Sequence, residues 1–178
     1  MSQLRSFGFL LKDVSRLSSK HFERQAAEAQ LGLTLEQCKL LANLQRNEGI
    51  NQKHLAYLSD MDQMTLVRLL DRMEKDGWVE RCPDPQDRRV RRLRLKPAAQ
   101  PILERIWAVG DRARSDAMAG LNASEREQLM RLLLRVHGNL AALVPCAIDV
   151  TRYQDHEPEV AARPLRPKPA ATARRGKA

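Results

Sequence analysis

Gln63-Met64-Thr65-Leu66-Val67-Arg68-Leu69-Leu70-Asp71-Arg72-Met73-Glu74-Lys75-Asp76-Gly77-Trp78-Val79-Glu80-Arg81-Cys82-Pro83-Asp84-Pro85-Gln86-Asp87-Arg88-Arg89-Val90-Arg91-Arg92-Leu93-Arg94-Leu95-Lys96 is the stretch on which the fold turns. Leu66, Leu69, Leu70 and Met73 recur at three- and four-residue intervals, so one side of a helix faces a core and the other is left free. Asp62 stands where a carboxylate can cap that helix, and Gly77 can take the left-handed backbone found just past a helix end. Trp78 to Cys82 then reads as a strand. Pro83-Asp84-Pro85-Gln86-Asp87 is a turn-rich loop, and Arg89 to Leu95 returns as a second strand, with Val90 interrupting the alternation around Leu93 and Leu95. Helix followed by a basic β-hairpin is the outline of a recognition helix with a wing.

Upstream, a short helix from about Asn51 buries Leu55, Ala56 and Leu58, and Ser59 to Asp62 is a polar turn. Two short amphipathic helices joined this way make a helix-turn-helix. Thr34 with Gln37 is a capping-box pair that opens an earlier helix carrying Cys38, Leu41, Ala42 and Leu44 inward, and Asn47-Glu48-Gly49 breaks it. Before that, Phe7, Leu10, Leu11, Val14 and Leu17 repeat at helical spacing, continue more weakly to Ala26 and Ala29, and end at Gly32. Downstream, Pro97 suits the first turn of a long helix with Ile102, Leu103, Ile106, Trp107, Val109 and Ala113 on one side. Ser124 with Glu127 repeats the capping-box pattern ahead of Leu129, Leu132, Leu133, Val136, Leu140 and Leu143.

The expected fold is therefore mainly α with a small β-wing: a winged helix-turn-helix over residues 31–96, flanked by helices over 1–30 and 97–147. Those outer helices carry more apolar surface than the central module needs, so they are expected to pair two chains. Residues 148–178 differ in kind, being rich in proline and alanine. From Thr151 onward seven Lys or Arg face three Asp or Glu, and large apolar groups are few. Such a segment is expected to stay a flexible basic tail.

The whole chain carries a formal charge of +9 with 31 Lys and Arg against 22 Asp and Glu in 178 residues, which points to a polyanionic partner, nucleic acid before membrane. Nothing resembles a membrane span or the apolar heart of a signal peptide, and a cytoplasmic protein is expected. The three cysteines, Cys38, Cys82 and Cys146, are too far apart for a zinc knuckle or a redox pair. A nucleophile elbow, a glycine-rich phosphate loop and a His-Glu metal motif are all missing from the sequence, so neither catalysis nor a cofactor nor a metal is expected.

Two groups of side chains carry the expected chemistry. Six of the nine residues from Arg88 to Lys96 are cationic, a density that repels itself unless an anion lies beside it. Arginines at such a tip, Arg88, Arg89 and Arg91 among them, can enter a minor groove, where the narrow walls concentrate negative potential. On the helix before it, Gln63, Met64, Thr65, Arg68 and Arg72 fall on or near the free side, and Gln and Arg can read base edges in the major groove. Taken alone, that helix face could be ordinary solvated surface; its place between a short helix and a basic hairpin argues for DNA.

The run from Met64 to Arg81, followed by Asp84-Pro85-Gln86-Asp87-Arg88-Arg89, resembles the MarR family of bacterial regulators across about residues 5–145. The resemblance implies a triangular dimer of N- and C-terminal helices that sets two winged lobes on a pseudo-palindromic operator, most often as a repressor. It further implies that Arg89 enters the minor groove and that Asp87 holds it in place. Lys96 departs from the threonine common there among relatives. Members often respond to small aromatic or phenolic molecules held where the dimer helices meet the lobes, for which His21, Phe22, Arg24 and Trp107 are the candidates here. Each also has a plainer role: Trp107 as core, His21 as a satisfied surface histidine. Some relatives sense oxidants through a first-helix cysteine, which this chain lacks. The rival reading is an architectural DNA binder with little sequence preference.

Overall fold

In the computed structural model residues 3–85, 87 and 90–143 are described. They lie in a unit that runs Met1–Cys146; Ala147–Ala178 form a separate unit, so the expected basic tail falls outside the described residues, as does Cys146. A 3-10 turn (Gln3–Ser6) leads into α1 (Phe7–Glu28), followed by α2 (Leu35–Arg46), α3 (Gln52–Leu58) and α4 (Gln63–Lys75). The hairpin β1 (Val79–Pro83) and β2 (Arg91–Leu95) comes next, then a 3-10 turn (Pro97–Ala99), α5 (Gln100–Ala117) and α6 (Ala123–Leu143).

The helix starts are set by short polar side chains. Thr34 and Gln37 form the expected reciprocal box at α2, with Thr34 N–H donating to Gln37 Oε1 at 2.9 Å. Asn51 caps α3 through the His54 N–H at 2.9 Å, and Asp62 caps α4 through the Thr65 N–H at 2.9 Å. At α6 the box is Asn122 with Glu125 instead of Ser124 with Glu127: Glu125 N–H donates to Asn122 Oδ1 at 3.0 Å and Asn122 N–H to Glu125 Oε2 at 2.8 Å. The two patterns overlap two residues apart. Gly120, at φ +84°, ends the preceding segment early enough for the first of them to be used.

Leu40, Leu41 and Leu44 from α2, Leu55 from α3, Leu66, Leu70 and Met73 from α4, Val79 and Leu93 from the hairpin, and Leu103, Ile106 and Val109 from α5 form one buried cluster. Leu58, expected inside, is only half-buried, and the first helical turn after Pro97 is 3-10 before α5 begins. The buried polar side chains among the described residues are Gln37, Ser59 and Asp84. Each answers to a partner: Gln37 in its capping box, Ser59 through Asn43, and Asp84 through Arg92.

The two outer helices look different. Phe7, Phe9, Leu10, Leu11, Val14 and Leu17 of α1 are exposed, Phe9 at 81%. No residue of α6 is buried, and Leu129, Met130, Leu132, Leu133, Leu140 and Leu143 face solvent in the single chain, Leu143 at 77%. A soluble chain rarely leaves an apolar stripe of this extent bare. Among the described residues no helix is long and apolar enough to cross a membrane, and no group of three or more His, Cys, Asp or Glu could hold a metal ion.

Candidate nucleic-acid interface

The turn between α3 and α4 is tight because its backbone is fully used. Asp60, at φ +51°, bends the chain left-handed, an excursion that aspartate tolerates better than most residues. Its N–H reaches Tyr57 O at 3.1 Å and that of Met61 reaches Ala56 O at 3.0 Å. Asn43 on α2 donates to both Leu58 O and Ser59 Oγ at 3.2 Å, buckling the turn to the lobe's interior. Thr65, by its hydroxyl first and its N–H second, holds the Asp62 carboxyl below the usual carboxylate range, and Arg68 adds to the shift. The cap thus stabilises α4 above the ordinary carboxylate value and loses that contribution as pH falls through the lowered one.

With Leu66, Leu70 and Met73 turned inward, the outward stripe of α4 holds Met64, Val67, Arg68, Asp71, Arg72 and Lys75, all exposed. Met64, Arg68 and Arg72 lie within about 80° of one another at 3.6 residues per turn. Thr65 is half-buried, and Gln63 is exposed in the first turn but further round the helix. Asp71 does not face outward freely: Arg81 on β1 bonds it at 2.6 Å and bonds Glu74 as well. That clamp fixes the hairpin against α4.

The hairpin pairs Val79 with Leu95, Arg81 with Leu93 and Pro83 with Arg91 in antiparallel register, and Asn51 bridges to Arg92 beside it. The first strand sits one residue further along than its sequence reading, and the second begins at Arg91. Trp78 is excluded because its N–H closes α4 on Met73 O at 2.9 Å, and Arg89 lies outside the described residues. At the open end, Asp84 N–H donates to Val90 O at 3.0 Å and Val90 N–H to Asp87 O at 3.0 Å. The Asp84 carboxylate, 7% exposed, accepts from Arg92 Nε, while its other oxygen accepts the Asp87 N–H at 3.3 Å. Arg92 also reaches Gly49 O at 3.3 Å.

The wing's charge is therefore divided. Arg92 is turned back as a strut, whereas Arg91, Arg94 and Lys96 are exposed. Arg88 and Arg89, and with them the expected hold of Asp87 on Arg89, lie outside the described residues. Asp84, which ties Arg92 and the Asp87 N–H to the base of the wing, is a residue that the sequence reading missed. Its signal was thin, an acid between two prolines in a loop, with a partner eight positions on inside a run of arginines.

The four candidates for an effector site fall into three settings. His21 lies 2.7 Å from Asp116 Oδ2 through Nε2 and 3.0 Å from Arg24 through Nδ1, linking α1 to α5. Phe22 borders a cavity of about 530 Å³ with Glu23, Ala26, Leu31, Leu33 and Leu35, where α1 gives way to α2. Trp107 stands beside Gln45, Arg46 and Arg114.

The MarR family model matches residues 33–90, the span from the α2 cap to the wing. The transcriptional regulator PA3341 is 31% identical in sequence; the alignment covers 76% of this chain and 98% of that one, with a TM-score of 0.66. This chain belongs to the MarR family. A MarR-family regulator from Silicibacter pomeroyi superposes at a TM-score of 0.67 and 25% identity, over 79% of this chain and 92% of that one. A single-substitution mutant of MarR from E. coli, whose structure is complexed with operator DNA, gives 0.62 and 27%, over 75% and 95%. The mainly helical fold with a two-stranded wing is thus that of the MarR winged-helix transcriptional regulators.

Not every MarR cysteine need be reactive. Burial pushes the Cys38 thiol up to about 11, a backbone hydrogen bond opposes the rise, and Glu36 adds to it. Raised in this way, the thiol favours the folded state below its ordinary 9.0, and that preference is lost between 9.0 and about 11. At pH 8 Cys38 should resist iodoacetamide in the native protein and react only after denaturation. Rapid native labelling, located by peptide mass, would show an accessible thiolate that this burial does not allow.

Proposed function

We propose that this MarR-family chain is a sequence-specific DNA-binding repressor that acts as a homodimer on a pseudo-palindromic operator, and that a small aromatic molecule releases it. The outward stripe of α4 beside a wing that keeps its cations exposed carries this reading. Arg68 and Arg72 then meet the major groove with Gln63, Met64 and Thr65 at its approach, while Arg88, Arg89 and Arg91 at the wing approach the minor groove. Asp87 belongs to the wing's support. The uncovered apolar faces of α1 and α6 support pairing of two chains. The E. coli MarR mutant in complex with operator DNA supplies a precedent for the ligand.

Release by an aromatic molecule draws on the cavity bordered by Phe22, which opens beside the α1–α2 connection. A ligand wedged there, with His21 and Arg24 on the same helix as Phe22 and Trp107 apart from it on α5, would bind one lobe angle better than another, and only that difference can shift the protein off DNA.

The test is selection of genomic fragments by the purified full-length protein, followed by titration of the selected duplex over a salt series. Arg89→Ala should weaken binding by about 10-fold or more with the dimer intact, on the scale of a lost charged groove contact. Arg68→Ala should alter base preference more than salt slope. A change confined to the salt slope would contradict base reading by α4, and equal affinity for scrambled DNA would favour the architectural alternative.

A further inference from the structure

Trp107 occupies the joint between two parts of the molecule. It sits on α5, which packs along α1, and its indole N–H donates to Gln45 Oε1 at 2.6 Å in the last turn of α2. The guanidinium of Arg46, which ends α2, lies 5.9 Å from the ring centroid, and that of Arg114 on α5 lies 5.8 Å from it. Both distances are within the range of cation–π attraction.

Gly110 supports the arrangement from below. A Cβ at that position would stand 3.1 Å from Arg114 Nη1, so the missing side chain leaves the room in which Arg114 folds back along α5 towards the ring. Asp111 pairs with the same guanidinium and holds it there. One aromatic ring thus gathers the end of a lobe helix and a helix of the outer layer, with a directional bond between them.

Position matters here more than strength. α5 gives Leu103, Ile106 and Val109 to the core of the lobe, and the Trp107 contact adds a directional tie at the end of α2 that restricts how far the lobe can swing. A swing of a few degrees at this root carries α4 through a sizeable part of the roughly 3.4 Å step between base pairs. Two half-sites must be met at once by paired recognition helices, so lobe angle is converted into half-site spacing.

We propose that Trp107 is a positioning residue: through Gln45, Arg46 and Arg114 it fixes the angle of the winged-helix lobe on the outer helices and so sets the half-site spacing that the paired chains accept. This rests on the reading of a homodimer on a two-half-site operator.

Two variants test it in the full-length protein. Trp107→Phe keeps a ring but removes the N–H donor, and Gln45→Leu removes the acceptor at an exposed position while leaving the ring untouched. Each is titrated against the duplex selected from genomic fragments, against that duplex with one base pair inserted or deleted at its centre, and against a duplex holding one half-site. The wild type should discriminate between spacings, and both variants should lose about fivefold of that discrimination, the scale of one hydrogen bond, with single-half-site binding unchanged. Unchanged discrimination in both variants would overturn the proposal, as would a fall in single-half-site affinity that accounts for the whole effect. Should Trp107→Phe fail to fold, Gln45→Leu decides alone. A wild type indifferent to spacing would contradict the two-half-site reading itself, and is distinguished by needing no variant to be seen.

Discussion

Leu10→Glu combined with Leu140→Glu should yield a monomer that has lost operator binding by more than about 1000-fold. Both leucines are exposed in the single chain, so the substitutions leave its core untouched. In a two-fold interface each change appears twice, and burying a leucine contributes about 1.5–3 kcal/mol. Removing four such side chains and inserting four carboxylates exceeds the margin that holds a typical dimer together. The loss on DNA follows because one lobe contacts only one half-site. The far-UV signal should also fall: α6 has no residue buried within its own chain, and an isolated helix of its length is marginal in water. Light scattering at micromolar concentration checks the mass, and a persistent dimer would place the interface elsewhere.

The second large effect is at the wing's anchor, where the two members of an ion pair should differ in a stated order. Arg92→Ala should cost about 2–3 kcal/mol, Asp84→Ala only about 1 kcal/mol, because a stranded buried carboxylate is worse than a stranded charge that can rehydrate. Asp84 is 7% exposed and Arg92 45%. The full figure for a buried pair is discounted here for that half-exposed guanidinium. Asp84→Asn should fall closest to the wild type, since an amide oxygen still accepts from the Asp87 N–H. All three should weaken DNA binding by loosening the wing where Asp84 and Arg92 tie it down. Urea midpoints give the order; a reversed ranking would mean that the carboxylate is not the desolvated partner.

Local pattern accounts for what the sequence made legible. The Thr34 and Asp62 caps and the inward triad Leu66, Leu70 and Met73 depend on residues within two turns of each other, and they could be read directly. The hairpin was recognisable from Gly77, the prolines and the arginine run, with ends displaced by one or two residues where α4's closing bond claimed Trp78.

What escaped depends on separation along the chain or on competition between frames. Arg92 is one arginine among several, and only the folded hairpin distinguishes a strut from a contact residue. Trp107 and Gln45 are far apart in sequence, and a tryptophan on an apolar stripe looks like core. Asn122 and Ser124 offer rival caps, and the choice between them belongs to the backbone at Gly120. The surplus apolar stripe of α1 was legible in the sequence; its extent, with Phe9 the most exposed of the α1 stripe, is visible only in three dimensions.

The most direct test of the account is a competition titration of the full-length protein at about 150 mM salt, with the selected duplex labelled and a scrambled duplex of equal length as competitor. Two chains per labelled duplex and a preference of at least about 1000-fold are expected. Equal competition by the scrambled duplex, or one chain per duplex at saturation, would contradict it.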